Sequence, residues 1–127
     1  MAAPPAEHVA RLAARAMLDK QSIDVTLLDL RGLSGFADFF LLGSARSSTH
    51  ADTVTDAVRG ALRAHGVRPR HSEGSAESGW LLLDYGDVVV HVFLEDTRGF
   101  YALERLWGDA PVVSVEGRAS VFDGPRD

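Results

Sequence analysis

The sequence predicts one layered domain of the mixed α/β (α+β) class, a sheet of about five strands with flanking helices. Three observations predict it. Segments with an apolar period of 3.6 residues alternate with short runs rich in Val, Leu and Thr, in the order α-β-β-α-β-β-β-α. Val88-Val89-Val90 is apolar at consecutive positions, the pattern of a central strand covered on both faces. The chain has 127 residues, 46% hydrophobic and 24% charged, which suits one globular core and excludes wholesale disorder.

Val9, Leu12, Ala13, Ala16 and Met17 share one face of a first helix, with Pro4 and Pro5 upstream where proline is tolerated. Asp24–Leu30 reads as a strand, Gly32-Leu33-Ser34-Gly35 as a turn, and Asp38–Leu42 as a second strand ending at Gly43. Ser47, Ser48 and Thr49 can cap a second helix, and Asp52 suits its first turn. Val54, Val58, Ala61 and Leu62 form its buried face, and Gly66 is its C-terminal stop. Val67–His71 reads as a weak strand, held to an edge by Pro69, and Glu73–Gly79 as a polar loop. Trp80–Asp84 and Val88–Phe93 form a hairpin about Tyr85-Gly86, where Gly86 can take positive φ. Glu95, Asp96 and Thr97 start a third helix whose stripe is Phe100, Leu103, Leu106 and Trp107, stopped by Gly108 and Pro111. The expected domain spans residues 1–111, and residues 112–127, with no clear period, read as a flexible tail.

Composition excludes several functions. With no cysteine, disulfide scaffolds, thiolate zinc sites and thiol nucleophiles are out. No apolar run approaches the ~20 residues that span a bilayer, and no secretory signal is visible, so the expectation is a cytoplasmic protein without membrane contact. Thirteen basic against eighteen acidic residues give a net charge of −5. That balance predicts little or no direct nucleic-acid binding and favours a basic protein partner.

Catalytic signatures are sparse. The histidines His8, His50, His65, His71 and His91 show no pairing at i+3 or i+4, so no metal site and no cofactor are expected. His91 alternates with Val89 and Phe93 on one strand face, either as a buried hydrogen-bonded histidine or as a contact residue on an exposed face. Gly43-Ser44, at a strand end before a helix, resembles the nucleotidyltransferase layout. There a Gly-Ser turn precedes metal-binding carboxylates on the next strand. Two-metal chemistry needs two carboxylates on one face, and Val67-Arg68-Pro69-Arg70-His71 carries none. Asp84 and Asp87 are three apart across a turn, a poor match. Ordinary helix entry is the better account of Gly43-Ser44. No G-x-S-x-G, G-x-G-x-x-G or Walker A sequence is present.

The densest segment is Trp80–Trp107. It holds both tryptophans and both tyrosines beside Asp84, Asp87, Glu95, Asp96 and Glu104, the composition of a protein-binding hot spot. Phe100, Leu103 and Leu106 suit a core, whereas Tyr85 at a turn tip and Tyr101 with Glu104 at i, i+3 suit a surface. Within it, W-L-L-L-D-Y-G-D-V-V-V-H-V-F from Trp80 to Phe93 is followed by Arg98, Phe100, Tyr101, Leu103, Glu104, Leu106, Trp107, Asp109 and Ala110. Upstream stand Asp29-Leu30-Arg31-Gly32-Leu33-Ser34, Ala37-Asp38-Phe39-Phe40, Ser47-Ser48 with His50, and Glu73-Gly74.

This combination resembles the ribosomal silencing factor (Iojap) family, in register from about Ala14 to Ala110, with the tail after Pro111 outside the family core. Gly43-Ser44-Ala45-Arg46 departs mildly from the family's Thr-rich version. The resemblance implies a fold similar to nucleotidyltransferases without the catalytic carboxylates, and no enzymatic activity. It implies a translational repressor that binds the large ribosomal subunit through a basic ribosomal protein (uL14) and blocks joining with the small subunit when nutrients are scarce. The contact residues it suggests are Trp80, Asp84, Tyr85, Asp87, His91, Tyr101 and Glu104. The alternative classes are a metal-dependent nucleotidyl or phosphoryl transferase on the same fold, and a module that forms a homodimer when free.

Overall fold

In the computed structural model, which describes residues 4–33, 35, 37–96 and 112–113, the first helix, α1, runs Ala6–Asp19. Its buried residues include Val9, Ala13, Ala16 and Met17, as the period predicts. It stops where Gln21 turns to φ 61 and the Gln21 and Ser22 amides reach back to Leu18 and Met17 carbonyls at 2.9 and 3.0 Å.

Strands β1 (Ile23–Asp29) and β2 (Phe39–Ala45) follow, then α2 (Ser48–Arg63). The α2 N-terminus is capped as its sequence suggests: Ser47 Oγ accepts the His50 amide at 3.1 Å. Gly66, at φ 77, closes the other end, and the Val67 amide bonds the Leu62 carbonyl at 2.9 Å. Then come β3 (His71–Ser75), β4 (Trp80–Asp84), β5 (Val88–Leu94) and a two-residue β6 (Val112–Val113).

The strands form one sheet in the order β3-β4-β5-β2-β1-β6. Only β2 and β5 pair in parallel; the other neighbours are antiparallel. Strand β5 is central and buried from Val88 to Phe93. Helices α1 and α2 lie on one face, over Leu27, Phe39, Leu41, Leu83, Val88, Val90 and Val92. The opposite face carries Leu28, Phe40, Leu42, Val89 and Phe93, with Trp80 and Leu82 beside them. Of the expected third helix, Glu95 and Asp96 are helical and the remainder, with its Phe100, Leu103, Leu106 and Trp107 stripe, lies outside the described residues.

Three expectations change. The strand after α2 is His71–Ser75, not Val67–His71. Every residue of β3 is exposed, so it buries no face and carries no period-two signal in sequence. Gly43-Ser44 lies inside β2 rather than at a helix entry, and the whole strand is buried. A Cβ on Gly43 would stand 2.6 Å from Ser22 Oγ and 2.7 Å from Met17 Sδ, so glycine is needed where the end of α1 crosses the sheet. Finally, Val112–Val113 do not begin a free tail, because they pair antiparallel with Leu28 and Leu27 at the edge of the sheet.

The edge strand gives a first test. Removing residues 112–127 is expected to cost about 1–2 kcal/mol more in urea unfolding than removing residues 114–127, through lost ladder bonds and reduced burial of Val113. Equal stability of the two truncations would deny β6 a structural role.

Candidate functional site

The hairpin β4–β5 positions most of the residues singled out by the sequence. Its turn is built by Asp84, whose Oδ1 accepts the Gly86 amide at 2.7 Å, and by Gly86 at φ 91. Asp84 is thus a turn-forming side chain, half-buried. Asp87 is exposed, while its carbonyl accepts the Asp38 and Phe39 amides at 2.8 and 3.0 Å and ties the turn to the start of β2.

Antiparallel register sets Trp80 opposite Phe93 and Leu82 opposite His91, which places all four on the face away from the helices. There the rings form a stack. Trp80 lies 5.5 Å from Phe93 and 5.9 Å from His91, both near-parallel, and Phe40 stands 4.8 Å from His91. The Trp80 indole N–H donates to His91 Nδ1 at 3.2 Å. Nδ1 is therefore the acceptor, and in the neutral ring the proton sits on Nε2. That Nε2 is buried and has no partner. Burial holds the His91 pKa down at about 4. His91 is 3% exposed, so of the two readings the sequence left open, the buried histidine is the one observed.

Beside the stack lies an open groove of about 140 Å³ lined by Glu73, Gly74, Ser78, Trp80 and Leu82. Glu73 lies in β3, although the sequence predicts a loop from Glu73 onward, and it pairs with His71 at 2.6 Å on the exposed edge. Gly74 has φ 83, and a Cβ there would stand 2.0 Å from the Trp80 carbonyl, so no other residue fits this close approach. Glu73-Gly74 and Leu82 belong to the motifs that carry the family resemblance, whereas Ser78 has no local signal in the sequence.

Tyr85 departs from its expected place. It packs against the helix-side core instead of standing free at the turn tip, continuing just past β4 the alternation that sends Leu81 and Leu83 to that face. Its hydroxyl is buried without a partner, and burial raises the phenol pKa. The sequence-suggested residues therefore divide: Trp80, Asp84 and His91 share one sheet face, Asp87 is at the turn, and Tyr85 is on the other face. Tyr101 and Glu104 lie outside the described residues.

Other motif residues hold the frame. Asp29 forks to Arg31 at 2.7 and 2.9 Å, and this hydrogen bonding keeps the Asp29 carboxyl below the usual range. His50 accepts the Arg46 amide at Nδ1 and bonds the Lys20 carbonyl through Nε2 at 2.8 Å, joining the end of α1 to the start of α2. The strand following α2 does carry one carboxylate, Glu73, but it stands three strands from Gly43 in the sheet and has no acidic neighbour at i±2. Among the described residues no group of three metal-ligating side chains converges, and no helix is long and apolar enough to cross a membrane.

Comparison with known proteins gives concordant matches. The family model described as "Ribosomal silencing factor during starvation" matches residues 3–125, so the family likeness runs past Pro111 into the segment expected to lie outside it. A ribosomal silencing factor of Halalkalibacterium halodurans is 39% identical over 111 residues, covering 87% of this chain and 95% of that protein. The Bacillus subtilis counterpart is 38% identical over 110 residues, 87% of this chain and 93% of that protein. The chloroplastic Iojap protein of Zea mays is 31% identical over 80% of this chain and 44% of its own length. A crystal structure from Chromobacterium violaceum superposes with a TM-score of 0.79 at 30% identity, covering 93% of this chain and 98% of that one.

Proposed function

The chain belongs to the ribosomal silencing factor family, and on that premise we propose that it represses translation by docking on the large ribosomal subunit and keeping the small subunit from joining. The family match over residues 3–125 is the observation that carries this reading. The docking partner is a basic protein of the large subunit, ribosomal protein uL14, and the site of action is the cytoplasm. A net charge of −5 favours such a partner. So does the half-buried Trp80 beside the exposed carboxylate of Glu73, an aromatic group next to an acidic one. Trp80, Asp84 and Asp87 are the proposed contacts from the described residues, with Tyr101 and Glu104 added from the motif. His91 lies beneath Trp80 and acts by holding its indole in place.

No catalysis is needed for this role. Steric exclusion requires only occupancy of the subunit-facing surface. Among the described residues no group of three or more His, Asp or Glu side chains is placed to hold a metal ion.

Sucrose-gradient co-sedimentation and a subunit-joining assay test the reading. Purified protein is expected to migrate with large subunits and, added before mixing, to lower the yield of joined ribosomes. Binding to large subunits with joining unchanged would retain the partner and reject the steric block. Turnover of nucleotides with Mg²⁺ or Mn²⁺ that Asp84→Ala or Asp87→Ala abolishes would favour the transferase instead.

A further inference from the structure

The groove beside Trp80 has a chemistry of its own. Antiparallel register sets Glu73 opposite Leu82, and Trp80, two positions before Leu82, points the same way. Carboxylate, indole and leucine side chain therefore share one face at the β3–β4 edge of the sheet. The walls are held in place. Trp80 stacks on Phe93 and His91, and its indole N–H donates to His91 Nδ1. At the hairpin end the Ser78 hydroxyl donates to the Ser75 carbonyl at 2.8 Å and accepts the Ser75 amide at 3.2 Å. Gly74, on the groove wall, adds no side chain.

Among the described residues that line the groove, Glu73 is the one ionisable group. His71 Nε2 lies 2.6 Å from its Oε2, and its Oε1 has no partner among the described residues. The volume of about 140 Å³ is well below the roughly 300 Å³ at which small-molecule pockets begin. It suits the end of one side chain brought in by a partner surface. An indole beside a carboxylate selects a cation: the ring quadrupole attracts positive charge, and the carboxylate accepts its hydrogen bonds. Arginine meets both at once. A planar guanidinium can lie on an aromatic ring while its edge N–H groups reach a carboxylate, whereas a lysine ammonium is a compact, strongly hydrated point charge.

We propose that this groove receives a single arginine side chain of the basic docking partner, its guanidinium lying on the Trp80 indole and hydrogen-bonded to Glu73. The source of the arginine rests on the docking proposal above; the preference of the groove for a guanidinium does not. The net charge of −5 acts in the same direction as the local carboxylate, drawing a basic surface towards the groove.

Two measurements test this, the first without ribosomes. Isotope-labelled protein is titrated with Nα-acetylarginine amide while the Trp80 indole N–H resonance, assigned by its loss in Trp80→Phe, is followed by NMR. A saturable shift is expected, and Glu73→Gln should weaken it roughly 5-fold. The citrulline analogue, of the same shape without the charge, is expected to leave the resonance in place. Glu73 is exposed on an edge strand, so Glu73→Gln should melt as wild type does. The second measurement is co-sedimentation with large subunits, where Glu73→Gln is expected to weaken binding roughly 10-fold. Glu77→Gln removes the same charge at an exposed position of the same hairpin, outside the described groove lining, and is expected to stay within about 2-fold. The proposal is overturned if arginine amide gives no shift that depends on Glu73, if citrulline matches it, or if Glu77→Gln loses as much subunit binding as Glu73→Gln. Wild type that binds large subunits with no effect of Glu73→Gln rejects the arginine contact and keeps the docking proposal. Wild type that takes arginine amide yet does not bind large subunits rejects the docking proposal and supports the guanidinium groove.

Discussion

As pH falls from 6.5 to about 4, the native state is expected to lose about 3 kcal/mol through His91 alone. The unfolded histidine takes up its proton near pH 6.5. The folded one resists until about 4, because a charged imidazole would sit in the apolar stack of Phe40, Trp80 and Phe93. Within that window the unfolded state binds more protons, so acid favours unfolding. The contribution is fully present above pH 6.5 and gone once pH drops below the folded value. Protonation of Nδ1 would also set a donor against the Trp80 N–H. Urea unfolding of wild type and His91→Phe at a series of pH values isolates the effect, since carboxylate contributions are common to both. At neutral pH the variant pays for a Trp80 N–H left without its acceptor, about 1 kcal/mol. Its curve should then be the flatter one between pH 6.5 and 4. Parallel curves would mean that His91 is not held neutral by burial.

Trp80→Ala is expected to weaken binding to large subunits by at least ~2 kcal/mol, roughly 30-fold, if the indole is the docking anchor. The same change removes a ring that stacks on His91 and Phe93, so a lower Tm is expected with it. Trp80→Phe keeps a ring in the stack and separates the two effects. A folded Trp80→Phe should recover most of the stability and only part of the affinity. Asp87→Lys should act differently. Its side chain is exposed and only its backbone carbonyl serves the fold, so stability should be unchanged. Reversing that charge should slow association and alter its salt dependence. A folded Trp80→Ala protein that binds large subunits as wild type does would place the docking surface elsewhere. Tyr85→Ala is a poor probe, because that ring packs against the helix-side core and its truncation would damage the fold.

Much of the architecture was legible in the sequence. Helices α1 and α2, strands β1, β4 and β5, the Ser47 cap, the Gly66 stop and the Gly86 turn all follow from local patterns. In each case the signal and the structure share one cause, either a buried face with a fixed period or a backbone angle that only certain residues accept. The family, too, was legible, because Trp80–Phe93 and the motifs around it are a long, ordered combination. Strand β3 was not legible. It owes its existence to the ladder of β4 and buries nothing, so the sequence from Glu73 onward looks like a loop.

Tertiary structure alone decided which side chains meet. Sequence grouped Trp80, Asp84, Tyr85 and Asp87 by proximity along the chain, but strand alternation sends Trp80 and Tyr85 to opposite faces of the sheet. It grouped Gly43 with Ser44 as a helix entry, whereas the glycine makes room for Met17 of α1 and for Ser22, which follows that helix. The register of β4 against β5 joins Trp80 to His91, eleven positions away. Local patterns report what a residue needs from its neighbours in the chain. The partner it finds across the sheet depends on register and helix placement, which are set by burying the whole core at once.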